Sequence, residues 1–173
     1  MDEDILSISI RPAEEDEVAV LQAIFSPNDF AGHHAQRFSV QAEGKGVYLV
    51  AWHEGEPVGH FLLHWEGPET DTSEHYPYPT PYLESGGTRA AYRRRGVATG
   101  LIRAAEALVR DRGIASIGLA VGSSDNPDAR RIYTRLGYRD WGKGEFLVSW
   151  GIRNAGGEEG IDSEVCIYMF KQL

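Results

Sequence analysis

Alternation and helical spacing divide the chain into a succession of short strands and helices. Leu6, Ile8 and Ile10 alternate with Ser7 and Ser9, which predicts a half-buried strand ending at Arg11-Pro12. The acids of Ala13-Glu14-Glu15-Asp16-Glu17 suit the positive end of a helix dipole, and Val20, Leu21, Ile24 and Phe25 give that helix its apolar stripe. Ser26-Pro27-Asn28-Asp29 stops it, and a second short helix is expected around His33–Phe38. Val47–Trp52 and Val58–Trp65 read as two strands of a hairpin joined by His53-Glu54-Gly55-Glu56-Pro57.

Residues 66–81, rich in Pro, Thr, Glu and Tyr, predict a long loop that interrupts the sheet, and such loops are usually functional. Tyr82-Leu83-Glu84 resumes a strand, and Ser85-Gly86-Gly87-Thr88 reads as a bulge or splay. Val97, Leu101, Ala105 and Leu108 line one face of a helix that Gly113 ends. The apolar run Ile114–Val121 predicts a central strand. Asn126 and Pro127 open another helix, with Ala129, Ile132, Tyr133 and Leu136 on its inner face and Gly137 at its end. Phe146–Trp150 and Val165–Phe170 are the last strands, separated by a Gly- and Glu-rich loop at residues 151–162.

Composition adds bounds. With 173 residues, 42% hydrophobic and 25% charged, the chain is expected to form one domain, 1–173. Its longest apolar stretch, Val47–Trp52, is too short to span a membrane, and Met1-Asp2-Glu3-Asp4 is acidic where a secretory signal would be basic. Cys166 is the single cysteine, so a reducing, cytoplasmic location is expected. The charge is unevenly spread: residues 1–88 hold 16 acids and 3 bases, whereas 89–113 hold seven arginines against Glu106 and Asp111. That asymmetry points to one site for an anion and one for a cation. A net charge of −9 makes nucleic acid an unsuitable partner.

The anion site has an address in Arg93-Arg94-Arg95-Gly96-Val97-Ala98-Thr99-Gly100, between a strand and a helix. The N–H groups of a helix start point outward there, Gly96 carries no side chain to keep an anion away, and arginines surround it; this suits a phosphate or pyrophosphate. It is not a Walker A loop, since the Gly-Lys-Ser/Thr ending is absent, and no G-x-G-x-x-G occurs. A solvated arginine cluster at a turn is the plainer alternative.

The order strand, Arg93-x-x-Gly96-x-Ala98, amphipathic helix and apolar strand continues into Asn126-x-x-Ala129-x-x-x-Tyr133-x-x-x-Gly137-Tyr138. This resembles the GNAT superfamily of acetyl-CoA-dependent N-acetyltransferases, in element order over the whole chain and in motif over 82–138. The resemblance implies a single α/β domain whose central mixed, mostly antiparallel sheet of six to seven strands is splayed in the middle and flanked by about four helices. It also implies acetyl-CoA as acyl donor, with its pyrophosphate on Arg93, Gly96 and Ala98 and the backbone donors of Arg94, Arg95, Val97 and Thr99. Gly86, Gly87 and Thr88 would lie along the pantetheine arm, although glycines replace the usual apolar residues there. Asn126 would contact the cofactor as well as cap its helix, and Tyr133 would protonate the departing thiolate.

For the general base the resemblance suggests a strand carboxylate, and Glu84 stands at such a place, with Glu74 and His75 in reserve. The plainer reading of Glu84 is an exposed carboxylate that attracts a cation. Glu66, Glu69, Asp71, Glu74 and Glu84, with Trp65, Tyr76, Tyr78 and Tyr82, would suit a small cationic amine of aminoglycoside or polyamine type. A protein or peptide N-terminus, or a catalytically silent acyl-CoA-binding module, are the alternatives, and a homodimer is compatible with all three. His60-x-x-x-His64 falls in a strand without further ligands at metal spacing, so no metal is expected.

Overall fold

The structure is a computed structural model and describes residues 6–66, 81–124 and 126–173; the loop acids Glu69, Asp71, Glu74 and His75, Tyr76 and Tyr78 lie outside the described residues. In chain order the elements are β1 (Ser9–Pro12), α1 (Val18–Phe25), α2 (His33–Ala42), β2 (Gly46–His53), β3 (Glu56–His64), β4 (Tyr82–Thr88), α3 (Val97–Asp111), β5 (Ser116–Gly122), α4 (Pro127–Arg135), β6 (Arg139–Arg153) and β7 (Glu159–Gln172). The strands form one sheet in the order β1-β2-β3-β4-β5-β7-β6. Every neighbouring pair is antiparallel except β4 and β5.

The apolar run in β2 is continuous because both of its faces are covered. Leu49 and Ala51 face the cluster under α3, where Val97, Leu101, Ile102, Ala105 and Val109 pack. Tyr48 and Val50 face the other way, onto Leu21 of α1 and Leu62 of β3. The β2–β3 turn uses Glu54 at φ 50° and Gly55 at φ 81°, the left-handed pair that a tight hairpin requires. On α3 the buried Glu106 accepts from the Tyr138 hydroxyl at 3.1 Å and from Lys171 at 2.9 Å, so its charge is compensated and the helix is tied to β7.

Several expectations need correcting. The first strand starts at Ser9 rather than Leu6 and keeps Arg11 and Pro12, since it pairs with Trp52 through Leu49. The acids at 13–17 make a 3₁₀ turn, Glu15–Glu17, closed by reciprocal bonds between Glu14 and Glu17, and α1 begins only at Val18. The expected loop 151–162 is mostly strand: Gly151, Ile152 and Arg153 pair with Ile161, Gly160 and Glu159. A turn centred on Asn154, whose Oδ1 accepts from the N–H groups of Gly156 and Glu158 at 3.0 Å, joins the two strands. Its pairing partner is the strand on the other side of the turn, so a polar, glycine-rich composition conceals a long β ribbon.

Candidate active site

β4 and β5 pair only at Tyr82–Gly118 and Leu83–Leu119. Beyond these two rungs β4 stays with β3 and β5 stays with β7, so the sheet opens into a wedge. The wedge continues into a cleft of about 1100 Å³, with Glu84, Gly86, Gly87 and Thr88 on one wall and Ala120, Val121 and Gly122 on the other. Backbone groups at a splay lack strand partners and are free to bond a ligand.

The two glycines of β4 have a specific cause. The register shifts between His60 and Leu62, so β4 carries one extra residue opposite Phe61. A Cβ on Gly86 would stand 2.1 Å from the Phe61 ring, and one on Gly87 would stand 2.8 Å from His60 Nε2. Side chains of β3 fill the space that apolar residues on β4 would take.

At the far end of the cleft Arg94 (φ 63°) and Gly96 (φ 83°) turn the chain into α3 in the left-handed region. Val97 is buried in the core and anchors the turn, while the first N–H groups of α3 have no intrahelical acceptor. No atom lies within 4 Å of where a Gly96 Cβ would stand, so a side chain there would project into open space. Arg93, Arg94 and Arg95 are exposed around this helix start, and Arg93 lines the cleft. Asn126 caps α4, its Oδ1 accepting from Ala129 N–H at 3.1 Å, and also lines the cleft.

Tyr133, about two turns into α4 from that cap, lines the same cleft and packs edge-on against Tyr138 at 6.1 Å. Burial pushes its phenol up to about 12, so it stays protonated across the physiological range.

Glu84 is paired with His64, the second histidine of the His60-x-x-x-His64 strand segment. Burial pushes the Glu84 carboxyl up, but the His64 hydrogen bond and charge, with Arg37 and His33 beyond, outweigh burial and hold it below the usual carboxylate range. His60 also lines the cleft, and His34 is buried behind it, the two ring centroids 5.2 Å apart. His34 Nδ1 lies 2.6 Å from the Tyr48 hydroxyl and its Nε2 lies 3.0 Å from Ser26 Oγ, and burial, reinforced by Arg37, lowers it to about 4. His60 is pushed well below its ordinary value by burial, with Arg37 and His34 adding to it, and its Nδ1 is buried without a partner among the described residues. His60 and His64 reach Glu84 through the pairing of β3 with β4, and His34 and Arg37 through the packing of α2 on β2. No local spacing announces them.

The β6–β7 ribbon bridges the cleft. Phe30 N–H donates to the Arg153 carbonyl at 3.0 Å, and His33 Nε2 lies 2.8 Å from the Gly151 carbonyl. Trp150 and Ile152 line the cleft beneath this contact. Trp65, expected in the acceptor pocket, instead stacks under the Arg112 guanidinium at 3.6 Å. Tyr82 does line the cleft.

The sequence model of the Acetyltransferase (GNAT) family matches residues 13–138. No curated protein matches the chain. Among solved structures, the ribosomal-protein-S18-alanine N-acetyltransferase of Escherichia coli superposes with a TM-score of 0.64 at 16% identity, covering 96% of this chain and 94% of the other. The ribosomal-protein-alanine N-acetyltransferase of Brucella melitensis gives 0.67 at 18% identity, covering 95% and 99%. Arabidopsis thaliana NAA60, solved in complex with acetyl-CoA, gives 0.65 at 20% identity, covering 96% and 99%. At such identities the structures speak for the fold, and the family match speaks for the chemistry. The chain belongs to the GNAT family of acetyl-CoA-dependent N-acetyltransferases.

Proposed function

We propose that the acetyl group passes directly from acetyl-CoA to a small primary amine in the wedge between β4 and β5, with Glu84 as base and Tyr133 as acid. The observation that carries this reading is the splay after Leu83–Leu119, because Glu84, Tyr133 and Arg93, which leads into the start of α3, all border the cleft it opens. Residues Arg93 to Thr99 would hold the pyrophosphate, and Gly86, Gly87 and Thr88 would run along the pantetheine arm, with Asn126 near its end. The ammonium loses one proton to solvent, its nitrogen bonds to the thioester carbonyl and gives a second proton to Glu84, and a β4 N–H meets the oxyanion. The C–S bond then breaks, and the Tyr133 hydroxyl donates to the departing sulfur.

Direct attack is favoured over a cysteine-bound intermediate. Cys166 borders the cleft, but burial, with Glu164 beside it, pushes its thiol up to about 12, which leaves almost no thiolate. A small acceptor is favoured over a protein terminus because the ribbon, held by Phe30 and His33, bridges the acceptor end. The acidic half of the chain suits an amine that arrives as a cation. For a polycation such as an aminoglycoside or polyamine the support is thinner, since Glu84 is already paired with His64. Thiol release from acetyl-CoA, screened over pools of amines, tests the reading. Amine-dependent release that falls in Tyr133→Phe supports it, and release that no amine stimulates contradicts it.

A further inference from the structure

We propose, resting on that reading, that the acceptor bears a carboxylate beside its amine, an α-amino acid or close analogue, and that Arg37 holds the carboxylate. Arg37 is one of only three bases in the first 88 residues. It lies on α2, four residues after His33 and three after His34, and these spacings put the three side chains on neighbouring parts of one helix face. Both Arg37 and His33 line the cleft.

Four arginines of the described chain are half-buried: Arg11, Arg37, Arg89 and Arg130. Three of them are paired with carboxylates, Arg11 with Glu17, Arg89 with Glu56 at 2.9 Å and Arg130 with Asp140 at 3.5 Å. Arg37 alone has no carboxylate partner among the described residues. Its hydrogen-bond contacts include the two ring nitrogens of His34, at 3.5 and 3.4 Å, and the Tyr48 hydroxyl. Those nitrogens are already engaged at 2.6 and 3.0 Å by Tyr48 and Ser26. A guanidinium half-removed from water that meets neutral groups and no carboxylate is a fork of donors that matches a carboxylate.

The position of the fork also fits. The charge of Arg37 is felt at Glu84 and at His60, so the guanidinium stands on the proton-accepting side of the cleft. An α-amino acid carries its ammonium and carboxylate on one carbon, which lets one group meet Glu84 while the other meets Arg37. A polyamine would bring more positive charge against Arg37. A peptide N-terminus has an amide where the carboxylate should be, and would leave the guanidinium unpaired as it closed the site.

The test uses matched acceptors with acetyl-CoA: leucine, phenylalanine, serine and glutamate, each against its α-amide and its decarboxylated amine. The wild-type protein is expected to favour the best acid over its amide at least about tenfold in kcat/KM. In Arg37→Gln that ratio should collapse toward one, and in Arg37→Lys it should partly return, with circular dichroism reporting that both variants fold. Equal use of acids and amides, or preference for a polyamine or a peptide N-terminus, overturns the proposal. So does an Arg37→Gln variant in which acid and amide fall together, since Arg37 would then act only through Glu84. If no amine releases thiol, the transfer reading fails. Calorimetry on the coenzyme A complex then decides the proposal: N-acetylphenylalanine should bind more tightly than its amide, and equal binding overturns it.

Discussion

The two ends of the cleft are built in different ways. The end proposed for the cofactor is made of backbone: glycines of β4, the turn at Arg94 and Gly96, and the free N–H groups at the start of α3, all within residues 86–99. The end proposed for the acceptor is made of side chains that meet from distant parts of the chain, namely His33 and Arg37 of α2, His60 and His64 of β3, Glu84 of β4 and the outer part of the β6–β7 ribbon. A backbone site needs a particular local conformation, so a short motif can specify it. A side-chain site needs only the right groups at the right places in the fold, and can change its ligand without changing the fold.

The sharpest way to break this contrast is at Gly96. A Gly96→Glu change puts a side chain on a φ of 83° and a negative charge into the open space before α3. Coenzyme A affinity should fall by at least about 10²-fold in calorimetry, from strain and charge together, with the fold intact. Unchanged affinity would remove the backbone site.

Tyr133→Phe keeps the ring against Tyr138 and should leave coenzyme A affinity alone while lowering kcat about 10²-fold in single-turnover assays. Undiminished chemistry would make Tyr133 a packing residue.

The acceptor end should respond through pH. The acidic limb of kcat/KM should fall below the usual carboxylate range, because Glu84 is held there by His64. Glu84→Gln should remove that limb and lower kcat by about 10-fold or more. His64→Asn takes away the bond and charge that outweigh burial, so the limb should move to higher pH. A limb that stays fixed in both variants would reject Glu84 as base. A raised KM with kcat unchanged would leave it as a carboxylate that attracts the amine.

Stability should show a smaller pH effect. His34 is buried neutral, its value lowered from 6.5 to about 4, so the unfolded chain binds the proton more readily than the folded one between these values. The stability tied to the neutral ring is complete above pH 6.5 and is lost as pH falls toward 4, by no more than on the order of 3 kcal/mol. Thermal melts should show a falling Tm across that window, and His34→Gln should flatten the fall.

How legible each end was follows from how it is built. The Arg93–Thr99 turn, the Asn126 cap, the β4 bulge and the inner faces of α3 and α4 are short-range patterns, and the structure has them where the spacing put them, whereas Val20 of the expected α1 stripe is exposed. Glu84 could be singled out by its place before a splay, but its partner His64 could not, because twenty residues separate them and only the β3–β4 register brings them together. Arg37 sat in a weakly patterned helix and carried no signal of its own. The β6–β7 ribbon was hidden by glycines and glutamates that suggest a loop, and Trp65 was misplaced because its cation partner, Arg112, lies at the end of α3.

A crystal structure with bound acetyl-CoA tests the division of the cleft most directly. The account predicts the pyrophosphate on the N–H groups between Arg94 and Thr99, the pantetheine between β4 and β5, and the thioester sulfur within hydrogen-bond distance of the Tyr133 hydroxyl, with its carbonyl turned toward the Glu84 side. Acetyl-CoA bound away from the α3 start, or a sulfur out of reach of Tyr133, would contradict it.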